Sequence, residues 1–229
     1  MADVRGMTFT QHLDELRKRL VVAIAALVVA ILAAYFPALT VLNFVKGDLT
    51  LQYLGPLEPM VVRLKVAIFV GVAAAFPVIL YEFLAFVSPA LKRQEKKYLY
   101  PGLFFAILLF GIGVVLGFQY ILPLGKAWLF GQAGDTIIQG LTASQYISFV
   151  GWFVLGFGLA FETPLVIFLL IKLGVVDRRT LRKQWRYVYV IILLAAAIAT
   201  PDWSPVTMMA VAIPMAILYE AGLLLTRFF

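Results

Sequence analysis

The chain has 229 residues, of which 63% are apolar and only 14% are charged. Soluble domains carry about 45–50% apolar and about 25% charged residues, so this composition excludes a water-soluble globular protein. Because the chain has no cysteine and a single histidine, it also excludes disulfides, thiolate or multi-histidine metal sites and a cysteine nucleophile. The sequence therefore predicts an integral membrane protein that holds no metal and no cofactor.

Residues 1–19 precede the first long apolar stretch and carry charges of both signs. Apolar side chains recur at helical spacing from Phe9 to Leu20, and Thr8 with Gln11 fits a capping box. We therefore predict a short amphipathic helix that lies on the cytoplasmic surface of the membrane before the first span.

Six apolar stretches follow along the chain. A helix needs about 20 residues to cross about 30 Å of hydrocarbon. The predicted spans are approximately 20–42, 61–82, 98–122, 147–171, 187–200 and 204–221. The last two are short, and a turn signal with Pro201, Asp202 and Pro205 separates them, so we expect a helical hairpin that thins the bilayer locally. With no internal repeat and no linker, residues 1–229 are predicted to form a single all-α polytopic membrane domain.

The positive charges lie mostly on one side of these spans. With six spans, fifteen of the 19 lysines and arginines fall on the side of the two termini, and four fall on the other. Basic loops remain cytoplasmic, so both termini are predicted to face the cytoplasm. The same distribution explains the net charge of +7 without a nucleic-acid partner.

Glu162 is an acidic residue deep inside a predicted span. A carboxylate there costs on the order of 2.5–3.5 kcal/mol on insertion scales, and such residues are functional by default. Pro164, two residues later, favours a kink in the helix. The alternative is an interhelical hydrogen bond that serves packing alone.

Glu15 and Glu95 each lie in a cationic segment that is cytoplasmic in this topology. Two carboxylates near one another could bind a pair of arginines, because a carboxylate receives a guanidinium through two parallel hydrogen bonds. The alternative is that each glutamate neutralises its neighbours for little energy. On the outer side, Asp202 is expected to cap the sixth helix or to bind a partner.

No catalytic site is predicted. An intramembrane histidine, a pair of intramembrane aspartates and a cluster of metal ligands are all missing from the sequence. We therefore expect a protein that binds and is not an enzyme.

Short motifs recur in order along nearly the whole chain. They are HLDELRKR at 12–19, PLEP at 56–59 with Lys65, FPVILY at 76–81, AFVSPAL at 85–91 with Glu95, FETP at 161–164, TPD at 200–202, and IPM at 213–215 with Tyr219 and Glu220. Together they resemble the motifs of the TatC family, the multispanning core subunit of the twin-arginine (Sec-independent) protein translocase. The chain departs from the family pattern in having one proline rather than two in the turn at 200–202.

The resemblance implies six helices in a curved, glove-like bundle in the cell (cytoplasmic or inner) membrane, with cytoplasmic termini and short fifth and sixth helices. It implies that Glu15 and Glu95 help to bind the arginine pair of a signal peptide. The positions that the family uses nearby are Arg17, Phe86 and Leu91. Glu162, followed by Pro164, corresponds to the intramembrane glutamate on the concave face, and Pro201 with Asp202 forms the outer turn of the partner-binding hairpin.

The function implied is that of a signal-peptide receptor and core component that exports folded proteins with the proton-motive force. The implied partners are the single-span subunits TatA and TatB, membrane lipids and further copies of the chain, without nucleic acid. The alternative is a proton-coupled secondary transporter of a small solute that uses Glu162. Such a carrier would usually show inverted repeats, which this sequence lacks.

Overall fold

The computed structural model describes residues 9–90, 96, 99–124, 127, 142–199 and 205–225. Within these ranges the regular elements are helices, apart from one isolated bridge that pairs Gln52 with Thr142. The α-helices are α1 (Phe9–Tyr35), α2 (Ala38–Lys46), α3 (Glu58–Val87), α4 (Leu99–Leu116), α5 (Ala143–Ala160), α6 (Thr163–Lys172), α7 (Arg178–Lys183), α8 (Trp185–Ala199) and α9 (Pro205–Leu225). A 3₁₀ turn, Ser88–Ala90, follows α3, and a π-helical turn, Gly117–Ile121, extends α4.

Most of these helices are apolar enough to lie in a membrane. By length and composition, five helices in the described ranges could cross one: Thr10–Tyr35, Glu58–Val87, Leu99–Leu124, Ala143–Ala160 and Pro205–Leu224. Trp185–Ile198 is a shorter apolar helix. The predicted class, an all-α membrane protein with about six apolar helices, is confirmed.

Helix α1 runs without a break from Phe9 to Tyr35. The prediction of a separate amphipathic helix before the first span is therefore wrong. The sequence pattern changes from amphipathic to apolar near residue 20, but such a change does not itself end a helix. No proline or glycine interrupts the backbone between the two parts. The helix ends before Phe36 and Pro37, and α2 begins directly after that proline.

Helices α1 and α3 lie against each other over much of their length. They approach each other closely at Gly71, where an added Cβ would lie 2.6, 2.7 and 2.8 Å from the Cγ1, Cα and N atoms of Ile31. Two of these atoms belong to the backbone, so a larger residue at 71 would force the helices apart. Small residues serve membrane helix contacts in this way, because they let two backbones approach closely.

The predicted fourth span is divided into α5 and α6 by a turn at Phe161 and Glu162. Pro164 explains the break, because its ring clashes with the carbonyl of Ala160 and it has no N–H to donate to that oxygen. The hydroxyl of Thr163 donates to the Ala160 oxygen instead, at 2.5 Å. The kink expected at Pro164 is thus a full interruption of the helix.

The last two helices differ in length. Helix α8 has 15 residues, as short as expected, whereas α9 has 21 residues and extends to Leu225. At about 1.5 Å per residue, α9 is long enough to cross the hydrocarbon, so the expected shortness applies to the fifth helix of the bundle and not to the sixth. The predicted turn residues Pro201 and Asp202 lie outside the described residues.

Candidate functional site

Arg19 joins two carboxylates that belong to different helices. Its Nε and Nη2 donate to Oε1 of Glu15 at 3.0 and 2.8 Å, and its Nη1 donates to Oε2 of Glu82 at 2.9 Å. The three side chains are 28%, 19% and 14% exposed for Arg19, Glu15 and Glu82 respectively. This partly buried trio is the acid cluster, and it carries a net formal charge of −1.

The helix geometry explains how the acid cluster forms. Glu15 and Arg19 are four residues apart on α1, which places them on the same face of the helix. Helices α1 and α3 are antiparallel, so moving back along α1 from Ile31 and forward along α3 from Gly71 leads to the same end of the pair. Arg19 is twelve residues before Ile31 and Glu82 is eleven after Gly71, distances of about 18 and 16 Å along the two axes.

The acid cluster opens into a groove of about 760 Å³. The groove is lined by Gln11, Asp14, Glu15, Lys18, Arg19, Val22 and Glu82. Two carboxylate oxygens of the acid cluster, Oε2 of Glu15 and Oε1 of Glu82, accept no hydrogen bond from the described residues. The groove therefore combines a net negative charge with acceptors that are available to a cationic ligand.

A second groove, of about 350 Å³, lies next to Arg19. Arg19 lines both grooves, and the second one is also bordered by Tyr81, Ser88, Lys96 and Tyr100. Arg19 is thus shared by the two grooves.

Two of the predicted site residues lie near the acid cluster on its two helices. Phe86 is one turn beyond Glu82 on α3, and its ring stacks on His12 of α1, with the centroids 4.4 Å apart and the planes at 22°. Arg17 is exposed and lines a separate groove with Asp14 and Lys18, because a residue two positions from Glu15 points to a different side of the helix. The predicted residues Leu91 and Glu95 lie outside the described residues.

Glu162 is buried at the interruption between α5 and α6, with 6% of its surface exposed. Its backbone is satisfied, because its N–H donates to the oxygen of Leu159 and its carbonyl accepts from the N–H of Val166, both at 3.0 Å. Neither carboxylate oxygen has a hydrogen-bond partner among the described residues. The interhelical hydrogen bond that would serve packing alone is therefore missing from the described part of the chain. Next to Glu162, Pro164 contacts α9, where a Cβ on Gly222 would lie 3.0 Å from its Cα.

A second polar cluster, at the other end of α3, was not recognised in the sequence. Lys65 donates from Nζ to Oγ and O of Ser144 at 2.6 and 3.2 Å and to Oγ of Ser148 at 2.8 Å. Glu58 accepts from the backbone N–H of Ser144 at 3.2 Å and so satisfies an unpaired donor at the start of α5. The serines four residues apart, together with a lysine inside an apolar run, were the available signal. Glu82 was missed as well, because it lies at the end of the predicted span 61–82, where an acidic residue is not unusual.

The described residues contain no group of three or more His, Cys, Asp or Glu side chains that could hold a metal ion. The chemistry that the acid cluster can perform is the binding of a cation through carboxylates. Its geometry suits a planar guanidinium in particular, since one is bound there by charged hydrogen bonds of 2.8 to 3.0 Å.

Comparison with known proteins gives a consistent result. A family model described as Sec-independent protein translocase protein (TatC) matches residues 11–214. The TatC protein of Aquifex aeolicus (strain VF5) is 36% identical over 230 residues, which cover 96% of this chain and 95% of that protein. The chloroplastic TATC protein of Arabidopsis thaliana is 34% identical over 227 residues, which cover 97% of this chain and 67% of that protein. A crystal structure of the twin-arginine translocase receptor TatC is similar in fold, with a TM-score of 0.82 at 34% identity over 95% of this chain and 98% of that one.

Proposed function

The chain belongs to the TatC family and is a multi-pass membrane component at the core of the twin-arginine translocase, and we propose that it binds the arginine pair of signal peptides there. The observation that carries this proposal is the guanidinium of Arg19, which Glu15 receives through hydrogen bonds of 2.8 and 3.0 Å. Carboxylates that hold one guanidinium in this geometry have the chemistry to hold another.

Selectivity for arginine over lysine follows from the same chemistry. A guanidinium is planar and presents its donors in a fixed fork, whereas an ammonium is a compact point charge that is more strongly hydrated. Glu15 lines a groove of about 760 Å³, which has room for a guanidinium and its aliphatic stem. A lysine would gain the charge attraction but not the paired hydrogen bonds.

The further residues of the binding site are Glu95, Arg17, Phe86 and Leu91. Glu95 lies outside the described residues, and its role is proposed from the resemblance of its segment to the family motif. The stack of Phe86 on His12 supports an aromatic contact for the peptide next to its arginines. Arg17 acts from the neighbouring groove, where its positive charge disfavours misplaced basic residues of the peptide.

Glu162 acts at a later step than recognition. A carboxylate that is buried at a helix interruption without a hydrogen-bond partner in the described residues is costly, and intramembrane carboxylates of this kind mark functional sites. In the proposed sequence of events, the apolar part of the signal enters between the helices and approaches Glu162 and Pro164. Folded cargo then crosses with the proton-motive force.

The partner-binding surface lies on α8 and α9. On α9 the exposed residues Val206, Met209, Ile213 and Ile217 recur at intervals of three or four, and the exposed apolar residues of α8 include Tyr187, Val190, Ile191, Leu194 and Ile198. Such stripes suit single-span helices, so we assign TatA and TatB to this side, with the outer turn at Pro201 and Asp202 contributing to the contact. Membrane lipids and further copies of the chain complete the assembly. In a bacterium the protein lies in the inner membrane, and both of its termini face the cytoplasm.

The alternative function, a proton-coupled transporter of a small solute, is not supported, because the family match and the fold both belong to a protein translocase. The chain acts by binding and assembly, without catalysis of its own.

The test compares Glu15→Gln with Asp14→Asn in the detergent-purified chain, using a fluorescent twin-arginine signal peptide. Both variants remove one negative charge beside the groove, but only Glu15 binds a guanidinium in the structure. We expect Glu15→Gln to weaken affinity about tenfold, the loss of a charged paired contact, and Asp14→Asn to weaken it far less. Equal losses of affinity in the two variants would mean that the groove attracts the peptide only through its net negative charge. Unchanged affinity in Glu15→Gln would overturn the proposal.

A further inference from the structure

Arg19 occupies the carboxylate that the proposed function assigns to the incoming signal. Two of its nitrogens, Nε and Nη2, donate to the same oxygen of Glu15. A second guanidinium that approaches Glu15 therefore meets an acceptor that is already in use and a positive charge beside it. For the signal to bind Glu15 through paired hydrogen bonds, Arg19 has to release it.

Glu82 offers Arg19 a place to remain when it does so. Its carboxylate belongs to α3, 63 positions from Arg19 in the sequence, and it binds Nη1, the nitrogen that Glu15 does not use. The bonds to Glu15 can therefore break while the ion pair with Glu82 is kept. Without Glu82, the displaced guanidinium would face the guanidinium of the signal with no compensating carboxylate bound to it.

We propose that Glu82 is a positioning residue for signal recognition, which holds Arg19 away from Glu15 while an arginine of the signal replaces it. This inference rests on the proposed function and adds the internal exchange to it. Because Arg19 lines both grooves, its release from Glu15 also changes the surface that each groove presents.

The proposal fixes the sign of each substitution. Glu82→Gln weakens signal binding, because Arg19 then depends on Glu15 alone and repels the incoming arginine once displaced. Arg19→Gln strengthens signal binding, because the internal competitor is gone and the carboxylate of Glu15 is left for the signal. Once Arg19 is absent, Glu82 has nothing to hold, so the effect of Glu82→Gln shrinks.

A double-mutant cycle on the full chain measures this coupling directly. The affinity of a fluorescent twin-arginine signal peptide is determined for wild type, Glu82→Gln, Arg19→Gln and the double variant. We expect Glu82→Gln to cost about five- to tenfold in the wild-type background and less than twofold in the Arg19→Gln background. Asp48→Asn, which removes one negative charge from an exposed position outside the acid cluster, corrects for the change in net charge.

Two results would overturn the inference. Equal losses of peptide affinity in both backgrounds would mean that Glu82 contacts the peptide itself. No loss of affinity in either background would mean that Glu82 has no part in recognition. Both can be told apart from failure of the proposed function, in which the wild type would bind twin-arginine and twin-lysine peptides equally.

A folding control accompanies the cycle, because Arg19 joins two helices. Each variant is accepted only if it is monodisperse and unfolds cooperatively in detergent. If Arg19→Gln fails this criterion, Arg19→Lys replaces it in the cycle, since an ammonium keeps the charge but loses the fork between the two carboxylates. The effect of Glu82→Gln is then again expected to fall, and an undiminished effect would again contradict the proposal.

Discussion

Arg19 of α1 and Glu82 of α3 form an ion pair of 2.9 Å across the interface of two membrane helices. The pair is partly buried, and Arg19 is shared with Glu15 of its own helix. The position of this ion pair depends on how α1 and α3 pack, and their backbones approach closely where Gly71 of α3 meets Ile31 of α1. The packing of α1 against α3 and the chemistry of the acid cluster are therefore linked, and the link can be tested from the packing side.

Gly71→Ala is expected to destabilise the protein and to weaken signal binding together. The new Cβ would lie 2.6 to 2.8 Å from atoms of Ile31, two of which belong to the backbone, so α1 and α3 must separate. We expect a loss of about 1–3 kcal/mol in the free energy of unfolding, as for overpacked sites in general. Thermal unfolding in detergent and peptide affinity are the two measurements.

Gly111→Ala is the matched control for this substitution. Gly111 lies in α4, and a Cβ there would meet nothing within 4 Å, so the same added methyl group should be tolerated. A Gly71→Ala variant as stable as Gly111→Ala, or one that loses stability but keeps full affinity, would show that the packing does not hold the acid cluster in place.

Replacing Glu162 is expected to stabilise the protein while it impairs transport. Both carboxylate oxygens are buried without a partner in the described residues, which costs about 1–3 kcal/mol. Glu162→Leu removes that cost, so its unfolding temperature should rise, whereas export of a folded reporter should fall. Signal affinity should stay at the wild-type value, because the acid cluster is untouched.

Glu162→Gln separates charge from shape in the same assay. It keeps the size of the side chain, and we expect it to lose transport as well if the carboxylate itself acts. A drop in thermal stability for Glu162→Leu would indicate that the carboxylate makes a stabilising bond, and full export in both variants would restore the role in packing alone.

Lys65→Met is expected to destabilise the contact between α3 and α5. The substitution keeps the apolar stem but removes the donor for Ser144 Oγ, Ser144 O and Ser148 Oγ. Ser148 Oγ still donates to Ser144 O at 2.9 Å, so the loss falls on the two hydroxyl oxygens and should cost about 1–3 kcal/mol of unfolding free energy. Lys46→Met is the control, because Lys46 lies in the last turn of α2 and its side chain makes no hydrogen bond to the described residues. Similar unfolding temperatures for the two variants would exclude a structural role for the Lys65 cluster.

Features that depend on local composition were predictable from the sequence. Apolar stretches of about 20 residues identified the membrane helices, and Pro164 identified the place where the fourth stretch bends. The pairing of Glu15 with Arg19, four residues later, is the neutralisation of a neighbour that the sequence offered as the alternative, and the binding of a signal's arginines by Glu15 stays a prediction. The continuity of α1 was missed because an amphipathic pattern marks a change of environment and does not by itself end a helix.

Features that depend on contacts between helices were not predictable in the same way. Glu82 is 63 positions from Arg19, and the packing of α1 against α3, which includes the close approach at Gly71, brings the two together. The hydrogen bonds of Lys65 with the serines of α5 likewise cross 79 and 83 positions. A single sequence gives the residue types of such pairs but not their register.

The affinity of the purified chain for a signal peptide with an arginine pair, against the same peptide with a lysine pair, tests the central claim most directly. Both peptides carry the same charge and the same apolar segment, so only the paired hydrogen bonds of the guanidinium distinguish them. The acid cluster predicts a preference of about tenfold or more for the arginine pair, which Glu15→Gln abolishes. Equal binding of the two peptides by the wild-type chain would contradict the account.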